Sequence, residues 1–265
     1  MSDNYLHVGR GPRRPLVMAH RGGAGLWPEN TLYAFERAAR MGVDVLEVDV
    51  HAAAEGAPVI IHDPTVDRTT DGGGRISSLT LSQAKKLDAA YRWSQDGGRS
   101  FPLRGRGITL PTLGEALAAL PGLRFNIDIK QVSPTMVNSV CREIREHGAA
   151  GRVVVASFDQ ETLDAFRREC VGVATAAGVA EVRAFLSQQT PAGFRGASPR
   201  ALQVPEYGTK LLTPGLIAAA HLYDIEVHAW TINDEATMRR LIDWGVDGII
   251  TDYPDRLMAL LSGRT

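Results

Sequence analysis

Eight short apolar runs alternate with stretches of helical periodicity from end to end of these 265 residues, and that alternation constrains the fold more than any other feature. The runs occupy positions 16–20, 45–51, 124–130, 153–157, 171–176, 201–205, 226–231 and 248–252. Helical patterns fall between most of them, at 31–41, 135–147, 161–169, 214–223 and 235–244. Strands separated by helices pair in parallel, and eight over about 250 residues predict an α/β fold of the closed (β/α)8 kind, a TIM barrel. An open doubly wound sheet calls for a Gly-rich nucleotide fingerprint after its first strand. Gly22-Gly23-Ala24-Gly25 lacks that spacing and reads as a flexible loop at the barrel mouth. The expected organisation is a tail over 1–14 and one barrel domain over 15–262.

After the second strand a further apolar run, 57–62, follows the short turn Glu55-Gly56. A parallel crossover needs a dozen or more residues, so this run predicts an antiparallel hairpin. From 63 to 110 the chain is rich in Gly, Thr, Ser, Asp and Arg, which predicts an insertion over the active-site end of the barrel.

Side chains alternate faces along a strand. In the second strand Leu46, Val48 and Val50 share one face, while Glu47, Asp49 and His51 share the other. The third barrel strand repeats this, with Phe125, Ile127 and Ile129 opposite Asn126, Asp128 and Lys130. The apolar face must meet the helices, so the acids face the interior. Buried carboxylates that converge repel one another unless their pKa values rise or a cation joins them. An all-oxygen donor set suits a hard ion, Mg²⁺ or Ca²⁺. The competing reading is a charge network that closes the barrel, for instance Lys130 paired with Asp128. His20 and His62 each end an apolar run, where a barrel presents side chains to its mouth. Two imidazoles beside a carboxylate cluster can serve as general acid and general base. Arg21 can hold a phosphate through two nitrogens, and Lys130 can neutralise developing phosphoryl charge.

A formal net charge of -1 weakens any nucleic-acid reading without excluding a small anionic substrate. Cys141 and Cys170 read as buried free thiols. Positions 1–15 show no apolar signal-peptide core, and no run approaches the roughly 20 apolar residues of a spanning helix. The expected location is therefore cytoplasmic.

His20-Arg21-Gly22, Pro28-Glu29-Asn30-Thr31, Glu47-x-Asp49, His62-Asp63 and Asp67-Arg68-Thr69-Thr70 occur in that order. Asp128-x-Lys130, Val154-x-Ala156-Ser157-Phe158, Trp230-Thr231-x-Asn233 and Thr251-Asp252-Tyr253-Pro254 follow. The ordered set resembles the glycerophosphodiester phosphodiesterase family over nearly the whole chain. The resemblance implies that Glu47, Asp49 and Asp128 bind a divalent metal while His20 and His62 act as acid and base. It also implies that Arg21 and Lys130 contact the phosphate, that Trp230 lines the substrate pocket, and that Glu29 lies beside the metal or substrate. Asn30 is the expected cap of the helix at Thr31. The implied reaction splits a glycerophosphodiester into glycerol 3-phosphate and an alcohol. Asp128 stands where many members of that family have Glu. The long segment 92–110, with Asn126-Ile127-Asp128-Ile129-Lys130, is similar to a branch that includes lysophospholipase D enzymes; Trp27, Trp93 and Phe101 are then candidates for an acyl groove. A sugar-phosphate isomerase or aldolase barrel is one rival, disfavoured because the acids of Thr251-Asp252-Tyr253-Pro254-Asp255 would repel a phosphate; a non-catalytic member that only binds phosphodiesters is the other, disfavoured by the intact set of two histidines and three acids.

Overall fold

The computed structural model describes residues 14–188, 199–206 and 211–263. The strands are β1 (Leu16–Ala19), β2 (Val45–Ala52), β3 (Pro58–Ile60), β4 (Arg124–Ile129), β5 (Val153–Ala156), β6 (Ala174–Thr175), β7 (Ala201–Pro205), β8 (Glu226–Trp230) and β9 (Gly248–Thr251). Eight of them are parallel in the order β6-β5-β4-β2-β1-β9-β8-β7. The parallel bridge Ala176↔Ala201 brings the two ends of that order together, so the ring is nearly closed. This is the expected TIM barrel. As the short turn at Glu55-Gly56 predicts, β3 pairs antiparallel with β2, Val50 opposite Ile60.

The helices are α1 (Leu32–Met41), α2 (Leu81–Ala84), α3 (Leu113–Ala119), α4 (Val137–Glu146), α5 (Gln160–Glu169), α6 (Val179–Gln188), α7 (Pro214–His221), α8 (Glu235–Trp244) and α9 (Pro254–Ser262). Their apolar faces and the outer faces of the strands form the main core, with Phe35, Leu117, Phe125, Ile127 and Phe166 buried between them. A smaller cluster of Leu16, Met18, Val45, Val154, Ala176 and Ile250 fills the barrel interior. The insertion after β3 has apolar contacts of its own, among Val59, Ile61, Val66, Ile76, Ala84, Ala90, Ile108 and Leu110. That satellite core holds a segment with little regular structure.

Three local expectations are corrected. Cys141 and Cys170 are not free thiols but form a disulfide, Cα–Cα 5.6 Å, from the middle of α4 to the end of α5. Adjacent barrel helices bring together side chains 29 residues apart, which local sequence does not disclose. The helix at Leu32 is capped by Thr31, whose Oγ1 accepts from Ala34 N at 3.2 Å, not by Asn30. The glycine-rich mouth segment is a tight turn rather than a loose loop. His20–Gly22 is one turn of 3-10 helix, and Gly23 N and Ala24 N both donate to His20 O. At Gly22, where φ is 83°, a Cβ would lie 2.6 Å from Phe35, so only glycine fits. The sequence-based tail falls almost entirely on residues 1–13, outside the described residues. Among the described residues no helix is long and apolar enough to cross a membrane.

Candidate active site

Parallel pairing of β2 and β4 sets Asp49 opposite Asp128 and Glu47 opposite Asn126, all at the mouth end of the interior. Glu47, Asp49 and Asp128 are buried, and each offers an oxygen within 4.8 Å of the others'. Two cations reach into the cluster. Lys130 Nζ donates to Asp128 Oδ2 at 2.6 Å and lies 3.1 Å from Asp49 Oδ1. Arg21 Nε lies 3.3 Å from Asp49 Oδ2, which also accepts from Asn30 Nδ2 at 3.0 Å.

The charge network read from the sequence therefore exists, but it leaves the cluster undersatisfied. Asp49 Oδ1 and Asp128 Oδ1 are buried and accept no hydrogen bond. Glu47 receives the Arg21 N–H at 2.9 Å, with His20 Nε2 3.9 Å away. Burial, reinforced by the Asp49 charge, pushes the Glu47 carboxyl up to about 7. Burial raises Asp128 as well, against the pull of Lys130. Burial works the same way on Asp49, yet Lys130 and Arg21 hold it below the usual carboxylate range. Ionised together, the three acids would exceed the charge of Lys130 and Arg21, the latter shared with Glu29, and their mutual repulsion is part of what raises Glu47 and Asp128. One oxygen from each of the three acids could together hold a divalent ion, and an oxygen-only set suits a hard one.

Two imidazoles flank this cluster, each turned by a carboxylate. His20 Nδ1 meets Asp252 Oδ1 at 2.6 Å. Asp252 is fixed in turn by Asn233, whose amide donates to Oδ2 at 2.7 Å and accepts the Asp252 N–H at 2.9 Å. Burial alone would lower the His20 pKa; the bond to Asp252 and the field of Glu47 outweigh it and raise it. His62 Nδ1 meets Asp63 Oδ1 at 2.7 Å. Arg68 donates to Asp63 through Nε and to both Glu29 oxygens through its Nη atoms, at 2.7 and 2.8 Å. Glu29 also accepts from Arg21 Nη1 at 3.0 Å. Glu29 thus joins the arginine beside the cluster to the carboxylate beside His62. Arg21 adopts a left-handed backbone, φ 51°, with its N–H on Glu47 and its carbonyl accepting from Asn30 N. Such a conformation in a non-glycine residue is held by its surroundings.

These groups open into a cavity of about 840 Å³. His20, Arg21, Glu47, His62, Asp128, Lys130 and Trp230 line it; Asp49 and Glu29 do not. Trp230 stands edge-on to Phe158, ring centroids 5.7 Å apart. The proposed acyl-groove residues Trp27, Trp93 and Phe101 are absent from the wall. The apolar part of the wall instead includes Phe158, Val179, Val182, Leu186, Leu211 and Trp230. Sequence reasoning missed Asp252 and Asn233 as orienting groups. Asp252 ends a predicted strand, as His20 does, so the same strand-end rule would have found it. Its carboxylate engages His20 rather than simply repelling phosphate.

Residues 20–256 match the Glycerophosphoryl diester phosphodiesterase family. A glycerophosphodiester phosphodiesterase of Caldanaerobacter subterraneus subsp. tengcongensis is 32% identical, over 94% of this chain and 98% of its own length. One from Bacillus subtilis is 31% identical, over 92% of this chain and 85% of its own. A lysophospholipase D of Rattus norvegicus is 26% identical, over 94% of this chain and 86% of its own. An Oleispira antarctica phosphodiesterase, solved in complex with the product sn-glycerol-3-phosphate, superposes with a TM-score of 0.75 at 26% identity, covering 94% of this chain and 97% of that one.

Proposed function

This chain belongs to the glycerophosphoryl diester phosphodiesterase family, and from that premise we propose that it hydrolyses glycerophosphodiesters to glycerol 3-phosphate and an alcohol, with a divalent metal at Glu47, Asp49 and Asp128. It is a phosphoric diester hydrolase. The observation that carries the proposal is the cluster of three buried carboxylates, two of them lining one cavity, beside two imidazoles oriented through Nδ1. The donor chemistry fits Mg²⁺ or Ca²⁺, and the buried oxygens of Asp49 and Asp128 that accept no hydrogen bond would supply ligand positions, Asp49 Oδ1 in place of its ion pair with Lys130. When bound, the metal would act as a Lewis acid toward a phosphoryl oxygen and position the substrate.

With Nδ1 engaged by a carboxylate, each histidine keeps Nε2 for the substrate. One imidazole takes the proton of the glycerol 2-hydroxyl as that oxygen bonds to phosphorus. The other gives a proton to the departing alcohol oxygen as its bond to phosphorus breaks. Water then opens the cyclic phosphate, the two imidazoles exchanging roles. Lys130 and Arg21 offer positive charge to the phosphoryl oxygens. Asp252 and Asp63 hold the rings in one tautomer and orientation, and Trp230 forms part of the wall.

A second reading, hydrolysis of lysophospholipids, is supported by the apolar wall built from Val179, Val182, Leu186 and Leu211. The test is a product assay over glycerophosphocholine, glycerophosphoethanolamine, glycerophosphoglycerol and a lysophospholipid, with chelator and then with Mg²⁺ or Ca²⁺ restored. Release of glycerol 3-phosphate only with metal is the expected outcome. Full activity in excess chelator, with no ion found by elemental analysis, would end the metal assignment. Exclusive turnover of the lysophospholipid would select the second reading.

A further inference from the structure

The cavity does not stay inside the barrel. Four α6 residues, Val179, Val182, Arg183 and Leu186, line it at the i, i+3, i+4, i+7 spacing of one helix face. An outer helix reaches the cavity here because β6 is two residues long and the β6–β7 seam is the single bridge Ala176↔Ala201. The opening runs along α6 for about 10 Å, seven residues at 1.5 Å each.

The charges on this wall are distributed unevenly. His20, Arg21, Glu47, His62, Asp128, Lys130 and Asp252 all stand at the catalytic end. Beyond them, Arg183 is the one charged side chain lining the cavity among the described residues. It is exposed. The neighbouring acid on the helix, Glu181, is buried and held by Arg167 at 2.7 and 2.9 Å, so its charge does not offset Arg183. At the near end of the same wall, Lys130 Nζ lies 5.1 Å from the Phe158 ring centre. That ring already serves a cation, and a quaternary ammonium placed on it would meet Lys130 as well.

The geometry points to Arg183 as a specificity residue for the leaving alcohol: the alcohol lies along the aliphatic face of α6, and an anionic group on it, a phosphate or carboxylate, is read by the Arg183 guanidinium. This rests on the glycerophosphodiester reading of the same site. Cationic alcohols such as choline are disfavoured, and neutral ones are intermediate.

The test compares three diesters of sn-glycerol 3-phosphate whose alcohols are choline, glycerol and glycerol phosphate. kcat/KM is measured on the metal-loaded enzyme, and affinity by calorimetry on a His20→Ala background. We expect the glycerol phosphate diester to be favoured over the choline diester by roughly three- to tenfold, the range of a partly exposed ion pair. Arg183→Glu should reverse that order through KM while leaving Tm unchanged. Equal affinities for the three diesters, or an order that Arg183→Glu leaves intact, overturns the assignment. If no diester turns over but the affinity order and its reversal hold, the activity reading falls and the charge reading stands.

Discussion

At the scale of single residues, the acids and histidines were legible because strand alternation and strand ends are local rules. Glu47, Asp49 and Asp128 had to share a face, and His20 and His62 had to stand at the mouth. The partners that orient the histidines were not legible to the same degree. Asp252 pairs with His20 across 232 positions, a contact that only barrel closure creates. If the two imidazoles transfer protons, His20→Ala and His62→Ala should each lower kcat by roughly 10²–10⁴-fold while the protein stays folded. Steady-state rates with matched circular dichroism check this, and wild-type turnover in both variants would remove the assignment. Glu47 makes a second prediction, with an unusual sign. Its carboxyl is raised from an ordinary 4.5 to about 7, so the native state holds the proton more tightly than the unfolded chain does. In metal-free protein its charge therefore opposes folding increasingly from about pH 4.5 to 7, and fully above that. Glu47→Gln should be more stable than the parent at pH 8 in chelator, by of order 1–3 kcal/mol, and equal to it near pH 4. Urea melts at the two values test it. The same variant should lose metal-dependent activity.

At the scale of elements, the eight barrel strands and the β3 hairpin could be read from sequence because buried strands are short apolar runs with sharp polar ends. The strand predicted over 171–176 shrinks to Ala174–Thr175, since Gly172 turns with φ 91° and Val171 faces solvent. The helix α6 was missed for a physical reason. It buries Phe185 in the core and presents Val179, Val182 and Leu186 to the cavity, so it lacks the single apolar stripe by which an amphipathic helix is recognised. The start of α1 shows how an element positions the site. Thr31 Oγ1 accepts from Ala34 N and donates to Pro28 O at 2.7 Å, which fixes the turn that carries Glu29 and Asn30. Thr31→Ala should cost about 1–2 kcal/mol, the upper part of the range for a lost cap, because the hydroxyl is buried and makes two bonds. It should also lower kcat/KM, since Asn30 Nδ2 would no longer be held on Asp49. Denaturant unfolding and steady-state kinetics on the same sample separate the two effects. A stability loss with unchanged kcat/KM would show that this turn does not position the cluster.

At the scale of the whole molecule, the acids that strain the metal-free barrel also sit on adjacent strands at its centre. Glu47 and Asp49 belong to β2, Asp128 to β4, and β2 lies between β1 and β4 in the ring. A cation shared by the three would relieve their repulsion and tie those strands together, whereas the unfolded chain has no such site. Binding to the native state alone stabilises by about 2.7 kcal/mol at a ligand concentration of 100 Kd. For a chain near this size that corresponds to a rise in Tm of roughly 5–10 °C. Saturating Mg²⁺ or Ca²⁺ should produce that rise, and chelator should reverse it. Because the dication must displace the Glu47 proton, the rise should shrink as pH falls from about 7 toward 5. Asp128→Asn keeps the side-chain shape but removes one of the three charges, and its Tm should respond little to either ion. Calorimetric scans of both proteins, with and without metal at pH 5 and 8, decide the matter. A shift in the Asp128→Asn protein as large as in the parent would place the ion elsewhere and detach the carboxylate cluster from the chemistry proposed for it.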